Sequence, residues 1–592
     1  MREYENTHAH TYLSNPLVGF KDSQASQEDY AKRYQEIGMQ CLCFTEHGHR
    51  SDVWSAADIG AKYGMKAICG AECYFVPNRK EQDKRNFHLL VLAKDNEGFR
   101  QLNYMLSEAW TTGYYYKART DFEILETLDP SRFLITTACL GGILKDPEGE
   151  QYMKRLAEMF PNFYLEVQPH LIDDQINLNK HILELSDKYK LPLILGTDSH
   201  YIYKEDKSIR DDLIESDWNK DKTGKSNTKE NNDDSFDLFV PTPDEAYELL
   251  RAQGVLNRAQ IEEAMTNTLQ IRDWPGFTYD GSRKFPLTKN MLEMTDDERR
   301  KLYVKLVHDN YINQFGQPTK EEAKELNAEV KMVCETKAYD YFLSLYFMMQ
   351  RGAELGGVLT KTSRGSAASF ATSAALGFTS LNRLHEQVKL YPDRFVSKEK
   401  LEKAMPDIDN NIADQAPYDQ AGKDVFGENG CYPMIALGTL KTSSAFKLLC
   451  RAKHIAPTIA DEVSKQIQDY ELDLKHAIEN NEDEAGPDMD KDLEGLVDIN
   501  DYVKPEYHQL IEDSKQFMGI KTDIKPHPCA RLCYHKDLRY EVGLISLKPK
   551  AGETERRVCA YIEGATADAI GLCKNDLNFY GPGLSNEFQR TR

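Results

Sequence analysis

Short apolar runs bounded by turn residues alternate with amphipathic stretches through the first two hundred residues. Extended candidates are residues 40–45 (QCLCFT), 66–70 (KAICG), 87–93 (FHLLVLA), 132–138 (RFLITTA), 163–168 (FYLEVQ) and 192–197 (PLILGT), with an opening strand near residues 4–9. Between them, EDYAKRYQEIG, EGFRQLNYMLSEAW and QINLNKHILELSDKYK space apolar residues three and four apart, as an amphipathic helix requires. Seven strands separated mainly by helices predict an α/β fold with a largely parallel sheet or barrel.

The chemistry sits at the ends of those strands. His8 and His10 close the first, and Glu46 and His47 follow the second in FTEHG. Glu72 follows the third, and His88 opens FHLLVLA. Cys139 follows RFLITTA, and Asp198 and His200 follow PLILG in TDSH. In a parallel barrel the C-terminal strand ends converge on one face, so residues far apart in sequence share a pocket. Imidazole, carboxylate and thiolate are ligands that suit zinc or manganese, and more than four of them imply more than one ion. The i, i+2 spacing in HAH and DSH points two ligands the same way from an extended strand. Each motif alone is commonplace. Their recurrence at one phase of the alternation points to a metal centre.

Residues 204–236 are polar, and the second half reads as a solvated loop. Helical patterns then run from Thr242, an N-cap ahead of Pro243 with Glu245 at the third helical position, to about residue 355. KTSRGSAASFATSAALG starts as a small-residue loop and continues into a helix. Gly365 and Ser366 there would let backbone N–H groups approach phosphate oxygens, and Arg364 would add a charge-assisted contact. Asp407 and Asp409 in MPDIDNN alternate along a strand and can hold two Mg²⁺ ions on one face. Lys441 and Lys447 follow an apolar strand and fit a triphosphate or primer-phosphate site.

Composition narrows the class. The 592 residues are enough for about four domains. With 74 Lys+Arg against 96 Asp+Glu, the net charge is −22, which argues against wholesale coating of nucleic acid but leaves room for a local basic cleft. The polar start MREYENTHAH excludes a secretory h-region, and no apolar run reaches the ~18 residues of a membrane span. Twelve Cys without small-domain spacing suggest thiols in a reducing, cytoplasmic compartment.

HAHTYLSN, FTEHG, GAECY, FHLLVLAKDNEGF, TTACLGG, YLEVQPH and TDSHY, in this order, resemble the PHP (polymerase and histidinol phosphatase) domain at the N-terminus of bacterial DNA polymerase III alpha subunits. The resemblance implies a seven-stranded barrel with a multi-metal phosphoesterase site. Its ligands would be His8, His10, His47, Glu72, His88, Cys139, Asp198 and His200, with Asp22 in GFKDS as a further acidic ligand. Glu46 replaces the family's Asp, and the neighbouring His is the expected ligand. So complete a set favours a loaded site holding Zn²⁺ or Mn²⁺, with 3′–5′ exonuclease activity beside a polymerase.

YFLSLYF, SRGSAAS, LGFT, DRF, MPDIDNN, LGTLKTS and HPCA resemble the palm of the same family, and GLCKNDLNF matches the motif of its third catalytic carboxylate, placing Asp576 in that role. The resemblance implies a beta-type nucleotidyltransferase palm with an inserted helical thumb, two-metal Mg²⁺ chemistry, and primer-template DNA and dNTPs as partners. The expected domains are residues 1–240 (PHP), 241–441 (palm, first part), 442–515 (thumb) and 516–592 (palm, second part, with an atypical tail). Asn411 stands at the family's third acidic position, and SRGSAAS lacks the preceding glycines. The chain stops sixteen residues after Asp576, ahead of the family's fingers. The expectation is an N-terminal portion of a split or interrupted, phage-leaning polymerase. A second polypeptide would complete it and supply any sliding-clamp contact. The competing readings are a stand-alone PHP phosphoesterase and a non-catalytic polymerase fragment.

Overall fold

The computed structural model describes residues 2–218, 236–359, 366–403, 405–481, 497–549 and 554–579. The chain forms two compact units: Met1–Phe99, Tyr115–Phe277 and Leu437–Ile524 make the first, and Arg100–Tyr114, Thr278–Ala436 and Lys525–Arg592 the second.

The first unit is built on a curled seven-stranded sheet. It contains β1 (Cys41–Phe44), β2 (Lys66–Phe75), β3 (Phe87–Ala93), β4 (Arg119–Thr120), β5 (Phe133–Thr136), β6 (Phe163–Val167) and β7 (Leu193–Leu195). The order is β1-β2-β3-β5-β6-β7, with β4 paired to β2. Pairing is parallel except around β3, which runs antiparallel to both β2 and β5. Only the polar stretch VPNRKEQDKRN separates β2 from β3, and without a crossover helix the chain must reverse. Cys41, Cys43, Ile68, Leu90, Leu92, Leu134 and Ile194 meet Ile271 and Trp274 in one buried cluster.

The expected opening strand is corrected. Residues 4–9 form no ladder, and Ala9 makes only an isolated bridge to Ser199. Side chains and a few isolated backbone bonds do the work of a ladder here. The Glu5 carboxylate accepts from the backbone N–H of Gln40 at 2.9 Å and Cys41 at 3.0 Å. Thr7 Oγ1 donates to Leu195 O, and His10 N to Ser199 O. The segment thus joins the β1 and β7 ends of the sheet, and the seventh strand is β4 instead.

The Thr242 capping box with Glu245 forms as the residue pattern indicates. Helix Arg258–Thr268 packs on β7, where Asn267 Nδ2 donates to Leu193 O. Arg272 pairs with Glu3 and Glu5, so residues up to Phe277 group with the barrel. The polar stretch after Tyr203 contains helix Lys207–Trp218, and the rest of the expected loop, 219–235, lies outside the described residues. Leu213 of this helix packs with Leu448, Leu449, Phe517 and Ile520. That contact draws the helices Thr442–Ala452 and His508–Ser514 into the first unit.

Most of a six-stranded sheet belongs to the second unit: β8 (Asp409–Ile412), β9 (Cys431–Thr439), β10 (Lys521–Cys533), β11 (Leu544–Leu547), β12 (Arg557–Ala560) and β13 (Lys574–Phe579), in the order β11-β12-β9-β10-β13-β8. Helices Asp296–Phe315, Lys320–Glu335 and Tyr339–Glu354 supply Tyr303, Val307, Val333, Phe342, Leu345 and Met348 to its core. Gly352 lets the last of these helices approach Ala416–Phe426, because a Cβ there would lie 2.3 Å from the Tyr418 ring. All twelve cysteines are free thiols, and among the described residues no helix is long and apolar enough to cross a membrane.

Candidate metal centre and acidic strand pair

His8 and His10 come from the opening segment, Asp22 from the following loop and His47 from the end of β1. Glu72 and His88 come from β2 and β3, Cys139 from the loop after β5, and Asp198 and His200 from the loop after β7. The structure brings all nine together. Three overlapping groups, His8/His10/Asp198, His10/His47/His200 and His47/Glu72/His88, each place their ligand atoms within 4.8 Å of one another. Glu72 is the hub, with His47 Nδ1 at 2.6 Å, His88 Nδ1 at 2.8 Å, His8 Nε2 at 3.3 Å and Cys139 Sγ at 3.4 Å from its oxygens. Asp22 Oδ2 lies 3.6 Å from His47 Nε2 and 3.5 Å from His200 Nε2. Asn15 Oδ1 fixes the Asp22 loop by accepting from the backbone N–H of Asp22 and Ser23.

The donor set fits metal ions. His8 Nε2, His10 Nε2, Glu72 Oε2 and Asp198 Oδ1 are buried without a hydrogen bond, although a buried polar atom ordinarily finds one. Burial lowers the His10 pKa to about 3, helped by the charges of His47 and His200. His47 feels the same burial, but Glu72 and Asp22 outweigh it and raise its pKa to about 10. His8 is likewise buried, yet Glu166 and Asp198 hold it well above the usual imidazole value. Burial opposes the ionisation of Glu72, but His88 and His47 keep its carboxyl well below the usual range. Asp198 holds φ +47°, a left-handed conformation of the kind that collects at functional sites.

Two supporting carboxylates escaped the ligand pattern. Glu166 on β6 accepts from His8 Nδ1 at 2.7 Å and from Gln168 Nε2 at 2.8 Å, which turns His8 Nε2 toward the centre. Its position in FYLEV is the available signal: an acidic residue inside an otherwise apolar strand. Glu46 takes no part in ligation. It accepts from Thr11 N and Oγ1, Ser14 Oγ and Ser51 Oγ, and Ser14 Oγ in turn lies 3.2 Å from His10 Nδ1.

In the second unit, β8 and β13 run parallel with Asp409 opposite Asp576. Asp407 lies two positions before Asp409 at the entry to the same strand, and its Oδ1 is 3.3 Å from Lys574 Nζ. Asn578 Nδ2 donates to Asp409 Oδ1 at 2.7 Å. Burial and the charge of Asp407 push the Asp576 carboxyl up to about 6 against the pull of Lys574. Lys574, Asp576 and Asn578 share one face of β13 by the two-residue period, a signal that identifies Lys574 and Asn578 once Asp576 is placed.

The other expected phosphate contacts fall elsewhere. Arg364 and Gly365 lie outside the described residues, and Ser366 begins the short helical turn Ser366–Ser369. Lys441 and Lys447 belong to the first unit, whereas the aspartates belong to the second. Lys447 Nζ is paired with Asp461 at 2.8 Å, and Lys441 N donates to Ser444 Oγ at the start of its helix. The sequence after that strand reads as a new helix whose partners lie on the neighbouring helix Pro457–Asn481.

A curled sheet ringed with imidazoles and carboxylates, joined to a second sheet with paired aspartates, defines a two-part architecture: a PHP domain followed by a polymerase-type domain. Residues 6–170 match the PHP domain, and residues 299–577 match the bacterial DNA polymerase III alpha NTPase domain. In the order and identity of its two matched domains the chain is similar to DNA polymerase III alpha subunits. It is 24% identical to the DNA polymerase III subunit alpha of Aquifex aeolicus, covering 97% of this chain and 51% of that protein. It is 25% identical to that of Treponema pallidum, covering 80% and 40% respectively. It is also 24% identical to the DNA-directed DNA polymerase of Bacillus phage SPbeta, covering 96% and 48%. The chain spans about half the length of the curated relatives it matches.

Proposed function

We propose that the second unit carries the nucleotidyl-transfer site of template-directed DNA synthesis and that the first unit is a metal-dependent phosphodiesterase, working as a 3′–5′ exonuclease. The observation that carries this reading is the register of Asp409 against Asp576, with Asp407 two residues away. Three carboxylates so placed are the hard oxygen donors that Mg²⁺ prefers. Two such ions would activate a primer 3′ hydroxyl and neutralise the departing pyrophosphate. Lys574, beside Asp407, balances the negative charge of the cluster. Primer-template DNA and dNTPs are the corresponding ligands.

In the first unit, His8, His10, Asp22, His47, Glu72, His88, Cys139, Asp198 and His200 would hold Zn²⁺ or Mn²⁺. Metal bound there would supply a hydroxide at neutral pH and stabilise charge on the leaving oxygen. Glu166 fixes the His8 ring, Ser14 restrains His10, and Asn15 holds the Asp22 loop, so these residues orient the donors before any ion arrives.

Primer extension by this chain, supplemented with a polypeptide supplying the remaining length of its relatives, tests the first part. Asp407→Asn and Asp576→Asn should abolish incorporation; a stand-alone phosphoesterase would show no dependence on either. Mn²⁺- or Zn²⁺-dependent release of 3′ nucleotides, lost in Asp198→Asn, tests the second.

A further inference from the structure

The turn Tyr115–Lys117 in the first unit has features that core packing does not require. Tyr116 is 60% exposed and holds φ +62°, which a bulky residue rarely adopts outside functional or tightly constrained sites. Tyr115 N closes the turn onto Lys117 O at 3.0 Å. The two tyrosine rings meet edge to face at 4.9 Å. The Lys84 ammonium lies 4.8 Å from the Tyr116 ring centre.

This turn borders the metal centre. Lys117 Nζ lies 5.0 Å over the Tyr74 ring, and that ring is 5.4 Å from the ring of His88. Lys117 also feels the charge of Asp22, against the burial that lowers its pKa. Among the described residues neither Lys84 nor Lys117 has a carboxylate at ion-pair distance, although neighbouring Lys80 and Arg85 are paired with Glu123 and Asp83. Two lysines without a direct carboxylate partner among the described residues, and an exposed aromatic face beside the metal-binding side chains, match the way single strands are held. Bases stack on aromatic rings while cations follow the backbone phosphates.

We propose that Tyr116, with Tyr115, Lys84 and Lys117, docks the end of a single DNA strand, stacking a base beside the scissile phosphate. The inference rests on the phosphodiesterase reading of the first unit and adds to it the residues that would hold the strand.

Titrating dT12 against the full chain bearing Tyr116→Trp should quench the emission that this substitution adds, and an abasic oligomer of the same length should not. By fluorescence anisotropy, Tyr116→Ala and Lys117→Ala should each weaken dT12 binding about tenfold. Binding of dT12 with no change in that emission, or affinity in both alanine variants unchanged from the unsubstituted chain, would overturn the proposal. Metal-dependent hydrolysis is scored separately with unsubstituted chain. Quenching without hydrolysis leaves the strand site standing and removes the phosphodiesterase reading.

Discussion

Asp409 on β8 and Asp576 on β13 are register partners on adjacent parallel strands, although a large part of the second half of the chain separates them. Among the described residues neither carboxylate is paired with an arginine, and Lys574 nearby is shared with Asp407 and Asp568. Such crowding costs stability in the absence of metal, and the predictions below begin from that cost.

Asp576 binds its proton up to about pH 6 in the folded chain, against 3.8 as the ordinary value. The folded state therefore holds more protons than the unfolded state between these values, so stability falls as pH rises from about 4 to about 6. Asp576→Asn should remove that slope and raise metal-free stability at pH 7 by about 1–2 kcal/mol, a figure discounted for partial exposure. Denaturant melts at pH 4.5 and 7 check it. Equal destabilisation at both would contradict the argument.

His47, with a pKa of about 10, and His8, also raised, are protonated at neutral pH without metal. Their contribution to stability is complete below the unfolded value of 6.5 and is lost as pH rises toward 10. Coordination needs the neutral rings, so metal loading should release protons, and apparent affinity should climb between about pH 6 and pH 9. Calorimetry in buffers of different ionisation enthalpy measures the release. Binding without released protons would count against these residues as ligands.

Glu166→Gln keeps the shape of the His8 support but removes its charge, and should weaken metal binding about 10- to 100-fold in competition with a chelator. Gly196→Ala should act through the same carboxylate, because the added Cβ would fall 1.9 Å from Glu166 Oε1. If metal content is unchanged in both variants, Glu166 does not position His8.

Glu329 is buried and accepts from the backbone N–H of Ala371 and Thr372 and from Arg383 Nε at 2.7 Å, tying the segment after SRGSAAS to helix Lys320–Glu335. Glu329→Ala leaves Arg383 with only the half-exposed Glu325 and unpairs the N–H groups of Ala371 and Thr372, and should cost about 3 kcal/mol in equilibrium unfolding. A loss below about 1 kcal/mol would mean that solvent replaces the contact.

Much of the barrel was legible because most buried strands are apolar runs and several ligands lie just beyond a strand, as in CLCF followed by His47, whereas Glu72 lies within β2. The opening segment reads as a strand for a physical reason: the pattern of YENTHA gives no sign that Glu5 and Thr7 side chains substitute for ladder bonds. Glu166 and Glu46 are both buried acids, and only their partners distinguish a support for His8 from a clamp on the Thr11–Ser14 turn.

By itself the sequence determined the alternation of strands and helices, the residue types at the strand ends, and the spacing of Asp407 and Asp409, since these depend on local periodicity. The tertiary structure alone decided that β3 runs antiparallel, that Glu72 is the hub of the first centre, and that Asp576 is the register partner of Asp409. Register and chain reversal arise from contacts between segments distant in sequence, and no local pattern encodes which strand end meets which.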